Sequence, residues 1–255
     1  MTYVTTVLAD NPVHYWRLAD AAAGLFFDIG SSPLHAYSFG VPYGPFTSMC
    51  SDGLCWFRMN TTPFFGVRCD QSDMTLTTNF TLEAWFYSIG QGTSDQNIMS
   101  VQNPGGSRAT IRYNSGRILQ GFIATQPTAS NPATTPRQAW HHAVLTYDHV
   151  TLRLYLDGAQ VATQAFVINI ASTDYNVLLG EESSNVTPLN GFMAEFAIYS
   201  SALSASQVLA HFNAADTRTS TPRSVEAGAF PPGPSVALSS SDLLNQIYAA
   251  VHKVF

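Results

Sequence analysis

The stretch Phe80-Thr-Leu-Glu-Ala-Trp-Phe-Tyr-Ser88 decides the fold class. Phe80, Leu82, Ala84 and Phe86 share one face, and Thr81, Glu83, Trp85 and Tyr87 share the other. That is the period-two alternation of a β-strand. Two further signatures follow in order. Trp140-His-His-Ala-Val-Leu-Thr-Tyr-Asp148 runs through Leu152-Arg-Leu-Tyr-Leu-Asp-Gly158, ending on an Asp-Gly turn, and Gly191-Phe-Met-Ala-Glu-Phe-Ala-Ile-Tyr199 comes last. Turn signals recur at intervals near roughly 8–12 residues, as expected of stacked sheets. The prediction is all-β: a two-sheet antiparallel jelly-roll sandwich.

Working outward, residues 1–20 read as a lead-in, with a turn at Asp10-Asn-Pro12 and an alternating strand over Val13–Leu18. Tyr15 and Trp16 then lie on opposite faces. Short strands are expected between Cys55 and Gly66, and a meander over Ile98–Val101, Arg108–Tyr113 and Arg117–Ala124. Gly40, Pro42, Gly44 and Pro45 exclude a regular central strand there, because proline donates no ladder hydrogen bond. Residues 125–138, with three prolines, read as an exposed loop; strands follow over Ala159–Phe166 and Val177–Gly180. Trp16, Trp85 and Trp140 fall in strand patterns and are expected in the core.

After Tyr199 the period changes. Ser204 followed by Gln207 is a capping-box pattern, and Val208, Leu209 and Phe212 make one apolar stripe, so a short helix is predicted. Residues 216–240 are rich in Pro, Ser and Thr and read as an extended arm. In residues 241–255, Leu244, Ile247, Val251 and Val254 follow helical spacing, broadened by Leu243, Tyr248 and Phe255. A helix this short is marginal alone in water. These seven residues are therefore the expected partner-binding stripe. The organisation expected is a sandwich over 1–215, an arm over 216–240 and an anchoring or oligomerising helix over 241–255.

Composition narrows the function classes. Hydrophobic residues make up 45% of the chain and charged residues 11%, with a net charge of −6. One lysine, Lys253, against ten arginines offers no phosphate-binding surface, so no nucleic-acid partner is expected. No run of about 20 apolar residues exists, so no membrane insertion is expected. The N-terminus carries no secretory pattern, which reads as synthesis in a cytoplasm. Cys50, Cys55 and Cys69 are odd in number and lack a Cys-x-x-Cys pair, which favours free thiols or a local Cys50–Cys55 loop over a metal site with His35. His141 and His142 are adjacent on a strand and point to opposite faces, so they form no metal pair.

These signatures resemble the laminin G-like branch of the concanavalin A-like lectin/glucanase superfamily, over about residues 10–215. Asn11-Pro-Val-His-Tyr-Trp-Arg-Leu18 is similar to the opening of such domains in bacterial and phage surface proteins, and the Ser-x-Ala-Leu-Ser lead-in to their closing helix. The resemblance implies a module that binds rather than transforms. It implies a calcium site through Asp28 and Glu195, although Ala194-Glu195 replaces the family's Asp-Glu pair. The alternative is an Asx-turn at Asp28 and an arginine partner for Glu195. Related glucanases carry Glu-x-Asp-x-x-Glu, which is missing here, so no enzyme is expected. Tyr37, Tyr43, Trp56 and Tyr113, in or beside loops, are the candidate residues for stacking on sugar rings.

Two functions follow as expectations. The first is a non-catalytic structural and adhesion protein of a virus particle, of phage capsid decoration, minor capsid or tail-fibre type. Its partners would be capsid or tail subunits and cell-surface glycans, its place the virion surface, and a trimer one arrangement. The second is a secreted or cell-surface carbohydrate-binding lectin module, placed outside the cell.

Overall fold

A computed structural model describes residues 2–18, 25–39, 43–47, 54–58, 66–89, 95–102, 108–170, 172–180 and 188–215. Two antiparallel sheets stack face to face. In sheet A the order is β14 (Ala159–Ala165), β13 (Thr151–Leu156), β12 (Trp140–Asp148), β7 (Asn79–Ser88), β16 (Gly191–Tyr199), β5 (Leu54–Arg58) and β4 (Tyr43–Thr47). The short β1 (His14–Trp16) joins β16 on the side where β5 pairs with its first half. In sheet B the order is β11 (Ala129–Ser130), β10 (Leu119–Ile123), β9 (Arg108–Tyr113), β8 (Gln96–Gln102), β15 (Ser172–Leu179), β6 (Gly66–Leu76), β3 (Ala36–Phe39) and β2 (Leu25–Phe26). The jelly-roll prediction stands.

The alternation read in β7 sorts its side chains as expected. Phe80, Leu82, Ala84 and Phe86 enter the core between the sheets, with Leu145, Leu154, Ile111, Tyr113, Val177 and Ile198. Gly121 lets Leu145 pack close there, since a Cβ would push the Leu145 Cδ1 methyl aside. The Asp157-Gly158 turn has φ of 51° and 81°, the left-handed pair that a two-residue hairpin needs. β4 lies at the edge of sheet A, with a register shift across its Gly-Pro segment, as proline demands.

The other face of sheet A is covered by a second apolar cluster. Trp85, Tyr87, Trp140, Val144, Tyr155, Ala197 and Tyr199 pack beneath two helices, α1 (Tyr3–Ala9) and α2 (Ala205–Ala214). α2 has the expected capping box on Ser204 and Gln207. Its buried face differs from the apolar stripe: Val208 and His211 are buried, whereas Leu209 is 46% exposed.

Two other readings are corrected, and one strand forms where none is expected. The lead-in holds a helix, α1, capped by the Thr2 side chain. Gly66–Leu76 forms β6, whose polar residues carry no clear strand pattern. The loop 125–138 is not wholly exposed, since β11 adds to β10 and Asn131 and Thr135 are buried. The arm at 216–240 and the helix expected at 241–255, with its stripe from Leu243 to Phe255, lie outside the described residues.

Candidate functional site

Sheet B leaves a polar outer face at its β8–β11 end. Ala109, Ile111 and Tyr113 of β9 point inward, so Thr110 and Arg112 point outward. On β10 the outward positions are Gln120 and Phe122, because Leu119 and Ile123 fill the core. Register then sets Gln120 opposite Arg112 on one side and opposite Ser130 of β11 on the other. Arg112 donates to Gln120 Oε1 at 2.7 and 3.2 Å and pairs with Asp95 at 3.0 Å. Gln120 donates onward to Ser130 Oγ at 3.0 Å. The Arg112 guanidinium sits 5.1 Å from the centroid of the Phe122 ring. Guanidinium, amide, hydroxyl and carboxylate groups thus line up, partly exposed, while Thr110 and the Phe122 ring beneath Arg112 are buried.

The sequence-predicted calcium pair is arranged otherwise. Asp28 is buried and accepts from His14 Nδ1 at 2.7 Å and from the backbone N–H groups of Tyr15, Gly30 and Leu34 at 2.7–2.8 Å. Glu195, also buried, accepts from the Tyr15 hydroxyl and from Arg17 at 3.1 Å. It stands at a bulge in β16 with φ of 56°. The two carboxylates therefore hold opposite ends of Tyr15, its N–H and its phenol, and do not converge on one point. Calcium needs six to eight convergent oxygens, and these residues do not fit it. Among the described residues no group of three or more His, Cys, Asp and Glu is arranged for a metal. The Asx-turn and arginine alternative describes both residues.

Of the four aromatic candidates, Tyr113 is corrected: it lies in the core between the sheets, with its hydroxyl donating to Thr135 O at 3.0 Å. No ring face is left for a sugar. Tyr37 is half-buried on the outer face of sheet B, in β3, opposite Arg68. Tyr43 lies in β4 opposite Phe57, and Trp56 in β5 opposite Met193; their side chains fall outside the described residues. Trp16, Trp85 and Trp140 are buried, as expected. His141 and His142 do point apart, His141 to Asp157 at 2.8 Å and His142 to Glu83 at 2.8 Å. Cys69 is buried, its Sγ lying 3.7 Å from His35 O and 3.9 Å from Leu34 O.

No local pattern points to what surrounds Glu83. This fully buried carboxylate accepts from Tyr3 Oη at 2.7 Å, His142 Nε2 at 2.8 Å, Tyr199 Oη at 2.9 Å and His211 Nδ1 at 3.0 Å. Burial opposes its charge, but the His211 and His142 rings win and hold its pKa well below the usual carboxylate value. Burial and the same carboxylate push the Tyr3 and Tyr199 phenols well up. No substrate reaches this group, so it organises the covered face of sheet A.

Comparison with known proteins agrees with this architecture. Domain 4 of AbnA, an extracellular arabinanase of Geobacillus stearothermophilus, superposes with a TM-score of 0.59 at 14% identity, over 79% of this chain and 98% of that one. A mutant Trypanosoma rangeli sialidase displaying trans-sialidase activity gives 0.62 at 15% identity, over 84% of this chain but only 34% of its own. The binding domain of Paraclostridial Mosquitocidal Protein 1 gives 0.59 at 16%, over 81% and 52%. At these identities the likeness is one of fold. No protein of curated function matches the chain. Residues 66–209, more than half of the sequence, match the laminin G family described as the concanavalin A-like lectin/glucanases superfamily, and the chain belongs to that superfamily.

Proposed function

We propose that this chain is a non-catalytic carbohydrate-binding module whose ligand lies across β9, β10 and β11 on the outer face of sheet B. The observation that carries this is the ordered row Asp95, Arg112, Gln120 and Ser130 beside Phe122. Oriented polar groups of this kind fix the hydroxyls of a bound sugar, and the buried Phe122 ring holds the Arg112 guanidinium in place beneath them. The opposite outer face, on sheet A, is already covered by α1 and α2. Membership of a lectin-containing superfamily supports the reading, and so does a structural relative solved in complex with arabinotriose. Among the described residues, Glu83 and Glu195 are buried and held by tyrosines, histidines and Arg17, so neither flanks a bond to be cleaved.

A glycan array, run with calcium and with chelator, tests this. Binding that is calcium-independent and lost in both Arg112→Ala and Gln120→Ala, with unchanged melting temperature, is the expected result. Silence across all glycans, or hydrolysis of a bound one, would overturn it.

A second reading places the module on a virus particle, as a phage capsid decoration, minor capsid or tail-fibre protein. It is favoured by the division of the chain into a unit over Met1–Val225 and another over Glu226–Phe255. In this reading the second unit, with its stripe from Leu243 to Phe255, docks on a capsid or tail subunit. Weak sugar binding multiplied over many copies then gives avidity. Truncation after Ala215 is expected to leave glycan binding intact and abolish incorporation; full incorporation would refute this reading alone.

A further inference from the structure

We propose that His211 is a proton-dependent latch. Charged, it ties α2 to Glu83 of β7 and Asp10 beyond α1; on losing its proton it frees α2 from a sandwich that stays folded.

The geometry requires the charge. His211 is fully buried, with Nδ1 at 3.0 and 3.1 Å from the two Glu83 oxygens and Nε2 at 2.9 Å from Asp10 Oδ2. An ionised carboxylate only accepts, so a neutral imidazole, with one N–H, satisfies one of these contacts and opposes the other. Both nitrogens donate only in the imidazolium. One ring thereby joins the N-terminal segment, the central strand of sheet A and the last described helix.

Every element packed around the ring contributes a facing group. The N-terminal segment supplies Tyr3 and Asp10, β7 supplies Glu83, β12 supplies His142, and β16 supplies Tyr199. From α2 itself Gln207 donates to Asp10 Oδ1 at 2.8 Å. Tyr15 and Glu195 act at longer range, through the field at Tyr3. Burial disfavours the charged ring, but Glu83, and the hydrogen bonds to Glu83 and Asp10, raise the pKa of His211 to about 9. Without its proton the ring leaves one buried carboxylate short of a donor.

α2 has 10 residues; it buries Val208 and His211 and half-buries Phe212 against Trp85 and His142. An isolated helix of this length is marginal. No residue of α2 belongs to the core between the sheets, which the ladders of β7 with β12 and β16 hold independently. Loss of the latch therefore removes the charged part of the attachment of α2, leaves Val208 and Phe212 to hold it, and touches none of the inner core, the pattern of a local opening.

The full chain tests this by an NMR titration of the His211 ring together with limited proteolysis. The expected midpoint lies at about pH 9, against 6.5 for an ordinary histidine, with α2 amide signals moving at the same midpoint. In His211→Gln near neutral pH, thermolysin is expected to cut within residues 205–214 at least about tenfold faster, while residues 66–199 stay intact. Asp10→Asn is expected to act in the same direction but less. Three results would each overturn the latch. They are a midpoint at or below the ordinary histidine value, full protection of α2 in His211→Gln, and opening of sandwich and helix in one transition. If His211→Gln does not fold, the wild-type titration and its α2 signals decide alone.

Discussion

Phe212 of α2 lies nearly parallel to Trp85 of β7, with ring centroids 6.0 Å apart and planes 12° apart. His142 stacks on the same indole at 4.9 Å. An aromatic helix residue thus covers a tryptophan that would otherwise face solvent. Phe212→Ala is expected to lower unfolding stability by about 2 kcal/mol, the sum of lost burial and stacking for a half-buried ring. Urea denaturation followed by tryptophan fluorescence measures it; an unshifted midpoint would show that the stack contributes nothing.

Stability is expected to peak at mildly acidic pH. His211 is raised from 6.5 to about 9, so its contribution is complete below 6.5 and fades as pH rises through about 9. The raised phenols of Tyr3 and Tyr199 fade in the same direction, above 10.0. Glu83 is depressed, so its contribution is complete above 4.5 and fades as pH falls through its lower folded value. The plateau therefore spans about pH 4.5 to 6.5. Urea midpoints between pH 3 and 10 test this, and a maximum on the alkaline side would contradict the assignment.

Removing Glu83 is expected to cost more than removing any apolar neighbour on that face. Glu83→Leu leaves the His211 imidazolium with Asp10 alone and strips both phenols of their acceptor. Breaking one partner of a buried charged pair typically costs about 3–5 kcal/mol. Differential scanning calorimetry provides the measurement, and a loss under about 1 kcal/mol would mean that the cluster tolerates an uncompensated charge.

Asp28 is expected to act as a turn organiser without calcium. Its carboxylate holds three backbone N–H groups, and Gly30 beside it has no room for a Cβ against the backbone of Val13 and His14. Asp28→Ala and Gly30→Ala should each destabilise by about 2–3 kcal/mol. Millimolar calcium or chelator should leave the wild-type melting temperature within about 1 °C, whereas a site of millimolar or tighter affinity would raise it measurably.

The strands were legible where alternation and turn chemistry agree. Phe80–Phe86, the Trp140–Asp148 hairpin with its Asp157-Gly158 turn, Gly191–Tyr199 and the Ser204 capping box all appear where their patterns put them. α1 was not legible, because Tyr3-Val-Thr-Thr-Val is β-branched and strand-like in propensity. Packing of Tyr3 and Val7 on sheet A overrides that preference. Tyr113 was misjudged from the turn that follows it, although two-residue spacing from Ile111 already pointed it inward. The Glu83 cluster was beyond reach for another reason. Its partners at positions 3, 142, 199 and 211 share no local pattern and meet only in the folded sheet.

Because Asp10 bonds to both Gln207 and His211, two segments about 200 residues apart in sequence are clasped together. A contact of that span carries a large loop-closure cost, so the clasp closes only after the strands between the two segments have paired.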